Sequence, residues 1–94
     1  MAEYESMLLA NPELDEEGVD ALKSRLEAVI AEGKGEVQKW EVWGRRKLAY
    51  SIKKQTEAIY LLLHLKGGPE VVNMLKKSLK LDENFLRYMF IRKD

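Results

Sequence analysis

Two hydrophobic periodicities alternate along this chain of 94 residues, and their order limits the folds open to it. In residues 58–66 apolar side chains occupy every second position, which predicts a strand with Ile59, Leu61, Leu63 and Leu65 on one buried face. In residues 15–32 the apolar positions recur at intervals of three and four, which predicts an amphipathic helix. The two periods therefore divide the chain into elements.

The helix carries signals at both ends. Asp15 is suited to cap its N-terminus, and Glu16 and Glu17 complement the positive end of the helix dipole. Gly33 and Gly35 are suited to end it. The stripe that we expect to face the core consists of Val19, Leu22, Leu26, Val29 and Ile30.

Strand patterns lie on both sides of this helix. Residues 3–10 predict a first strand that ends at Asn11-Pro12, a turn pair that a sheet ladder does not tolerate. Residues 36–52 predict one long strand with a bulge or bend at Gly44. Residues 53–56 are polar enough to form a hairpin tip between this strand and the next.

The rest of the chain again predicts a helix followed by a strand. Pro69 is suited to the first turn of a second helix, and residues 85–92 predict the last strand. The order βαββαβ predicts an α+β fold of the ferredoxin-like class, with two helices on one face of a four-stranded antiparallel sheet. We expect a single domain over residues 1–94, with the other sheet face open.

The residue types that carry most catalytic and metal chemistry are scarce. The absence of cysteine excludes a disulfide scaffold, a thiolate metal site and cysteine catalysis. His64, the single histidine, is expected to be a hydrogen-bonded or exposed strand residue. No apolar run approaches the ~20 residues that span a bilayer, and the acidic start does not fit a signal peptide. We expect a soluble intracellular protein without an active site, metal or cofactor.

The charges sum to zero but divide unevenly along the chain. Residues 1–33 have a balance of −7, and residues 34–94 have a balance of +7. A local basic patch attracts phosphate, although such charges also serve simply to solvate an exposed hairpin, and charge alone supports both readings about equally. The candidate RNA-binding residues are Arg45, Arg46, Lys47, Lys53, Lys54, Arg87, Arg92 and Lys93.

The third strand argues against one common RNA-binding module with the same element order. An RNA-recognition motif carries glycine and paired aromatic residues there, whereas residues 58–65 contain neither. Tyr60 and Leu62 instead give the open face an apolar character. We expect that face to suit a protein partner better than splayed bases.

One segment closely resembles a known family. Residues 43–52, Trp-Gly-Arg-Arg-Lys-Leu-Ala-Tyr-Ser-Ile, are similar to the Gly-Arg-Arg-x-Leu-Ala-Tyr-x-Ile segment of bacterial small-subunit ribosomal protein S-six. The likeness extends over residues 4–93. Like residues also fall at Tyr4-Glu5, Asn11-Pro12, Tyr60 and Arg87-x-Met89-Phe90-Ile91-Arg92.

The resemblance implies a structural protein of the cytoplasmic ribosome, and no enzyme. Members of this family bind the central domain of small-subunit rRNA together with ribosomal protein S-eighteen, as a heterodimer, during subunit assembly. Arg45, Arg46 and Lys47 match the family's basic motif and become candidate contacts with rRNA or with the partner. For Leu48 we favour packing within the hairpin, and for Tyr50 both roles stay open. The candidate partner-binding residues are Trp43, Leu48, Tyr50, Tyr60 and Leu62.

The sequence departs from the family pattern in two places. Ala2-Glu3 stand where a basic residue commonly precedes the Tyr-Glu pair, so an N-terminal phosphate contact is not expected. Ser51 stands where proline is frequent, which frees a backbone donor and leaves the strand prediction intact.

Two other functions are compatible with the same element order. The stronger is a ligand-binding or regulatory module that forms a homodimer through its sheet. An acylphosphatase-like hydrolase is weaker, because it needs an anion-binding loop with an arginine after the first strand, where this chain has the acidic segment of residues 11–15.

Overall fold

The computed structural model describes residues 2–93, and its elements follow the predicted order. Neighbouring strands are antiparallel and lie in the order β2-β3-β1-β4, so that β2 and β4 are the edges. This is the ferredoxin-like arrangement predicted from the sequence. The elements are β1 (Ala2–Ala10), α1 (Glu16–Glu32), β2 (Glu36–Ile52), β3 (Gln55–Gly67), α2 (Pro69–Leu81) and β4 (Phe85–Arg92).

The main core lies between the sheet and the two helices. The predicted apolar face of β3 is buried in it, together with Leu8 and Ala10 of β1. The helices contribute Leu22, Leu26 and Ile30 from α1 and Val71, Leu75 and Leu79 from α2. No helix in the part of the chain that the structure describes is long and apolar enough to cross a membrane.

The predicted cap at the start of α1 is confirmed, whereas the end of α1 has a different physical basis from the one predicted. Asp15 caps the helix, because its carboxylate accepts a hydrogen bond of 2.8 Å from the Gly18 N–H. At the other end the left-handed residue is Lys34, with φ of 62°, and not a glycine. Gly35 is needed for space, since a Cβ there would lie 2.7 Å from the carbonyl oxygen of Lys66.

The β2–β3 hairpin contains the predicted bulge but a tighter turn. Gly44 has φ of 81°, and the register of β2 against β3 shifts between Val42 and Gly44. The four-residue tip predicted from composition is wrong, because only Lys53 and Lys54 form the turn. Both have positive φ, 50° and 68°, as a two-residue turn requires to match the twist of the paired strands.

Candidate nucleic-acid and partner-protein interface

The end of the β2–β3 hairpin lies across the sheet face opposite the helices. There Leu48 and Ile52 of β2 pack against a small buried cluster formed by Leu9, Ala58 and Leu86. These three residues come from β1, β3 and β4, so the hairpin end reaches from one edge of the sheet to the other. The predicted open face is therefore only partly open. Leu48 has the packing role that the sequence favoured for it.

Two hydrogen bonds hold the hairpin end against β4. Arg87 Nη1 donates to the Tyr50 hydroxyl at 2.8 Å, and Lys53 Nζ donates to the carbonyl oxygen of Phe85 at 3.2 Å. Each contact joins residues more than thirty positions apart in the chain. Tyr50 is nevertheless 61% exposed, so its ring keeps a free surface.

The basic motif after the bulge divides between the two sides of β2. Arg45 lies opposite Ile59 of the helix-covered face, and its Nη2 donates to the Pro12 carbonyl oxygen at 2.7 Å. Arg46 lies opposite Ala58 on the other face, and among residues 2–93 its side chain donates one weak hydrogen bond, of 3.4 Å, from Nε to the Trp43 carbonyl oxygen. The strand alternation thus resumes after Gly44 and separates the two arginines.

The remaining basic candidates differ in how far the protein itself engages them. The side chains of Lys47 and Lys54 are exposed and form no hydrogen bond or ion pair with any described residue. Lys93 lies 3.9 Å from Glu5, and Arg92 is exposed at the end of β4. Among the eight candidates, the cations most available to an external phosphate are therefore on the hairpin.

An apolar strip remains uncovered beside the hairpin end. Trp43 is 43% exposed, and Leu62 is half-buried on the same side of the sheet. Tyr60 is half-buried too, against the small hydrophobic cluster. Sequence reasoning missed Met89 and Ile91 of β4, which are 54% and 51% exposed on this face. Their alternation with Tyr88 and Phe90 was the signal that could have found them.

A polar cluster borders this strip. His64 lies between carboxylates of two neighbouring strands, with Nε2 2.7 Å from Glu41 Oε2 and Nδ1 3.5 Å from Glu5 Oε2. The hydrogen bond from His64, followed by one from Trp43, lowers the pKa of the Glu41 carboxyl below its usual range. The expectation of a hydrogen-bonded strand histidine is confirmed.

Comparison with known proteins finds the same family by a family model and by individual relatives. The family model described as Ribosomal protein S6 matches residues 3–92. A small ribosomal subunit protein bS6 of Syntrophomonas wolfei is 43% identical over 95 residues, covering 100% of this chain and 98% of that protein. One of Streptomyces griseus is 41% identical over 92 residues, covering 98% of this chain and 96% of that protein.

A solved structure agrees at the level of the fold. The 30S ribosomal protein S6 from Thermotoga maritima matches with a TM-score of 0.90 at 30% identity, over 98% of this chain and 87% of that one. The chain belongs to the ribosomal protein S6 (S-six) family.

Membership of the S-six family confirms the resemblance carried by residues 43–52 and the ferredoxin-like class of the fold. It makes the chain a protein of the small ribosomal subunit, and its named relatives are ribosomal proteins. Within residues 2–93 no three His, Asp or Glu side chains are grouped so that they could hold a metal ion.

Proposed function

We propose that this protein binds the central domain of small-subunit rRNA together with ribosomal protein S-eighteen, as a heterodimer, during subunit assembly. The observation that carries the proposal is the presence of two adjacent surfaces of different chemistry. One is the hairpin with its exposed cations, and the other is the apolar strip on the uncovered part of the sheet. Phosphate contacts would supply affinity and salt dependence, and the strip would be buried by the partner protein.

On the RNA side, the three hairpin cations Arg46, Lys47 and Lys54 would make the main phosphate contacts. Arg45, Lys53 and Arg87 each donate to an acceptor within the protein, so their first role would be to hold the hairpin in place. Arg92 and Lys93 lie at the far end of β4 and would form a second, smaller contact.

On the protein side, Trp43, Leu62, Met89 and Ile91 would form the centre of the contact with ribosomal protein S-eighteen. Trp43, Met89 and Ile91 are 43%, 54% and 51% exposed. Aromatic residues and methionine are enriched in interface cores, where an aromatic residue often supplies much of the binding energy. Tyr50 and Tyr60 would border that contact, and Leu48 would support it from beneath.

The RNA contact is tested with two triple variants that remove the same charge from different surfaces. R46Q/K47Q/K54Q removes three positive charges from the hairpin, and K76Q/K77Q/K80Q removes three from exposed lysines of α2. Binding of a central-domain rRNA fragment in the presence of ribosomal protein S-eighteen is measured at two salt concentrations. We expect the hairpin variant to lose at least about tenfold in affinity and to reduce the salt slope by about two to three, since each phosphate contact contributes about 0.9.

The α2 variant is the matched control and should bind nearly as the wild type does. Equal losses in both variants would contradict a localised hairpin contact, because they would reflect only the change in total charge. Unchanged binding in the hairpin variant would overturn the proposed RNA surface.

The protein contact is tested by placing a charge in the apolar strip. M89E should abolish heterodimer formation with ribosomal protein S-eighteen, since burying an unpaired carboxylate is strongly unfavourable. L81E, which changes an exposed apolar residue at the end of α2, is the control and should leave the heterodimer intact. A different result would favour the sheet-mediated homodimer instead. In that case the wild type alone would sediment as a homodimer, M89E would dissociate it, and ribosomal protein S-eighteen would not bind.

A further inference from the structure

The imidazole of His64 faces two acceptors at once. Its two ring nitrogens lie 2.7 Å and 3.5 Å from carboxylate oxygens of Glu41 and Glu5. A neutral imidazole has one N–H, whereas an imidazolium has two. Only the protonated ring can therefore donate to both carboxylates, and the neutral ring directs a lone pair at one of them.

The charged groups around the imidazole come from β1, β2 and the segment after β4. Besides Glu5 and Glu41, Lys39 Nζ lies 3.8 Å from Glu41 Oε2, and Lys93 Nζ lies 3.9 Å from Glu5 Oε2. The next pair along the same face is Glu3 opposite Lys66. Both Lys39 and Lys93 are about half exposed or more, at 64% and 48% of their side-chain surface. In the free protein, water and these two lysines can compensate the two carboxylates while the imidazole is neutral.

The cluster adjoins the proposed partner surface. Leu62 lies two residues before His64 on the same strand face, and Met7 follows Glu5 in the same way. The side chains of His64, Glu5 and Glu41 keep 16%, 24% and 33% of their surface exposed. A protein that covers the apolar strip would therefore also remove water from this cluster.

We propose that docking of ribosomal protein S-eighteen on the uncovered sheet face is coupled to uptake of a proton by His64. This inference rests on the proposed function. When water is excluded, an imidazole lone pair that faces a carboxylate oxygen has no compensating hydrogen bond, so the complex favours the imidazolium. The two carboxylates then balance the charge of the imidazolium, while Lys39 and Lys93, whose side chains are 64% and 48% exposed, remain in contact with water. In the complex each N–H of the imidazolium then faces a carboxylate, at the edge of the apolar contact.

Proton uptake makes the affinity depend on pH with a definite sign. A complex that binds more protons than the free proteins is strengthened as the pH falls, by at most about tenfold per pH unit for one proton. We expect affinity for ribosomal protein S-eighteen to rise about three- to fivefold between pH 7.5 and 6.0.

The experiment is isothermal titration of ribosomal protein S-eighteen into the full-length wild type and H64Q. Each pair is measured at pH 7.5 and 6.0, in two buffers whose ionisation enthalpies differ, which gives the number of protons taken up. Glutamine keeps an amide donor for Glu41 and does not titrate. The affinity of H64Q for ribosomal protein S-eighteen should therefore not rise between pH 7.5 and pH 6.0. The E5Q variant removes the second acceptor and should reduce the proton uptake while His64 is retained.

Circular dichroism melts establish that each variant is folded before titration. If wild type and H64Q change equally with pH, the inference is overturned while the heterodimer of the proposed function stands. If E5Q takes up as many protons as the wild type, the two-carboxylate origin is overturned. Absence of binding at both pH values contradicts the proposed function and this inference with it.

Discussion

The two faces of β3 are built from similar residues and end in different environments. Ile59, Leu61, Leu63 and Leu65 lie under the helices and are at most 7% exposed. On the other face Leu62 stays half-buried, although it is the same residue type as its neighbours. Apolar composition therefore does not separate core from interface. What separates them is whether another element of the same chain covers the face.

The largest expected effect comes from truncating one side chain on each face of the same strand. Leu61→Ala should lower the free energy of unfolding by about 3 kcal/mol, because it leaves a cavity in the main core. Leu62→Ala should cost about 1 kcal/mol or less but weaken binding of ribosomal protein S-eighteen. Chemical denaturation and titration of the partner measure the two effects. Similar losses of stability would show that the face away from the helices is also core.

A second comparison uses the adjacent arginines of β2. Arg45→Ala removes the hydrogen bond to the Pro12 carbonyl and should lower stability by about 1 kcal/mol. Arg46→Ala should change stability by less than about 0.5 kcal/mol, since its one contact is long and exposed. Urea denaturation of both variants measures this. A larger loss for Arg46→Ala than for Arg45→Ala would contradict the division of the motif between the two faces.

Ser6 is the polar exception on the helix-covered face. Its hydroxyl is fully buried and has no hydrogen-bond partner among the described residues. Ser6→Ala removes this unsatisfied group, and we expect it to raise the free energy of unfolding by about 1 kcal/mol. Thermal and urea unfolding test the sign. A destabilised variant would mean that the hydroxyl does find a partner in solution.

The smallest effect concerns Glu41 on the other face. Its pKa is lower in the folded protein than its ordinary value of 4.5, mainly through the hydrogen bond from His64. Its contribution to stability is thus present above the unfolded pKa and lost as the pH falls through the folded pKa. The stability difference between wild type and E41Q should therefore be larger at pH 7 than at pH 3. A difference that does not change with pH would show that ionisation of Glu41 is unimportant.

Much of the fold could be predicted because its signals are local. The cap at Asp15, the alternation in β3 and the bulge at Gly44 each depend on residues a few positions apart. The predicted length of the hairpin turn was wrong, because polarity indicates exposure and does not reveal the backbone angles of Lys53 and Lys54. The site was less predictable. That the basic residues and the uncovered face bind RNA and a partner stays a prediction.

By itself the sequence determined the order of the elements, the buried faces of α1 and β3 and membership of the S-six family. Those properties follow from periodicity and from a contiguous motif. Only the tertiary structure decided which cations are engaged within the protein, how far the hairpin covers the sheet and that His64 lies between two carboxylates. The hydrogen bonds that hold the hairpin, from Lys53 to Phe85 and from Arg87 to Tyr50, join residues distant in the chain. They arise from the pairing and twist of the strands, which bring distant side chains together without leaving a pattern in either segment.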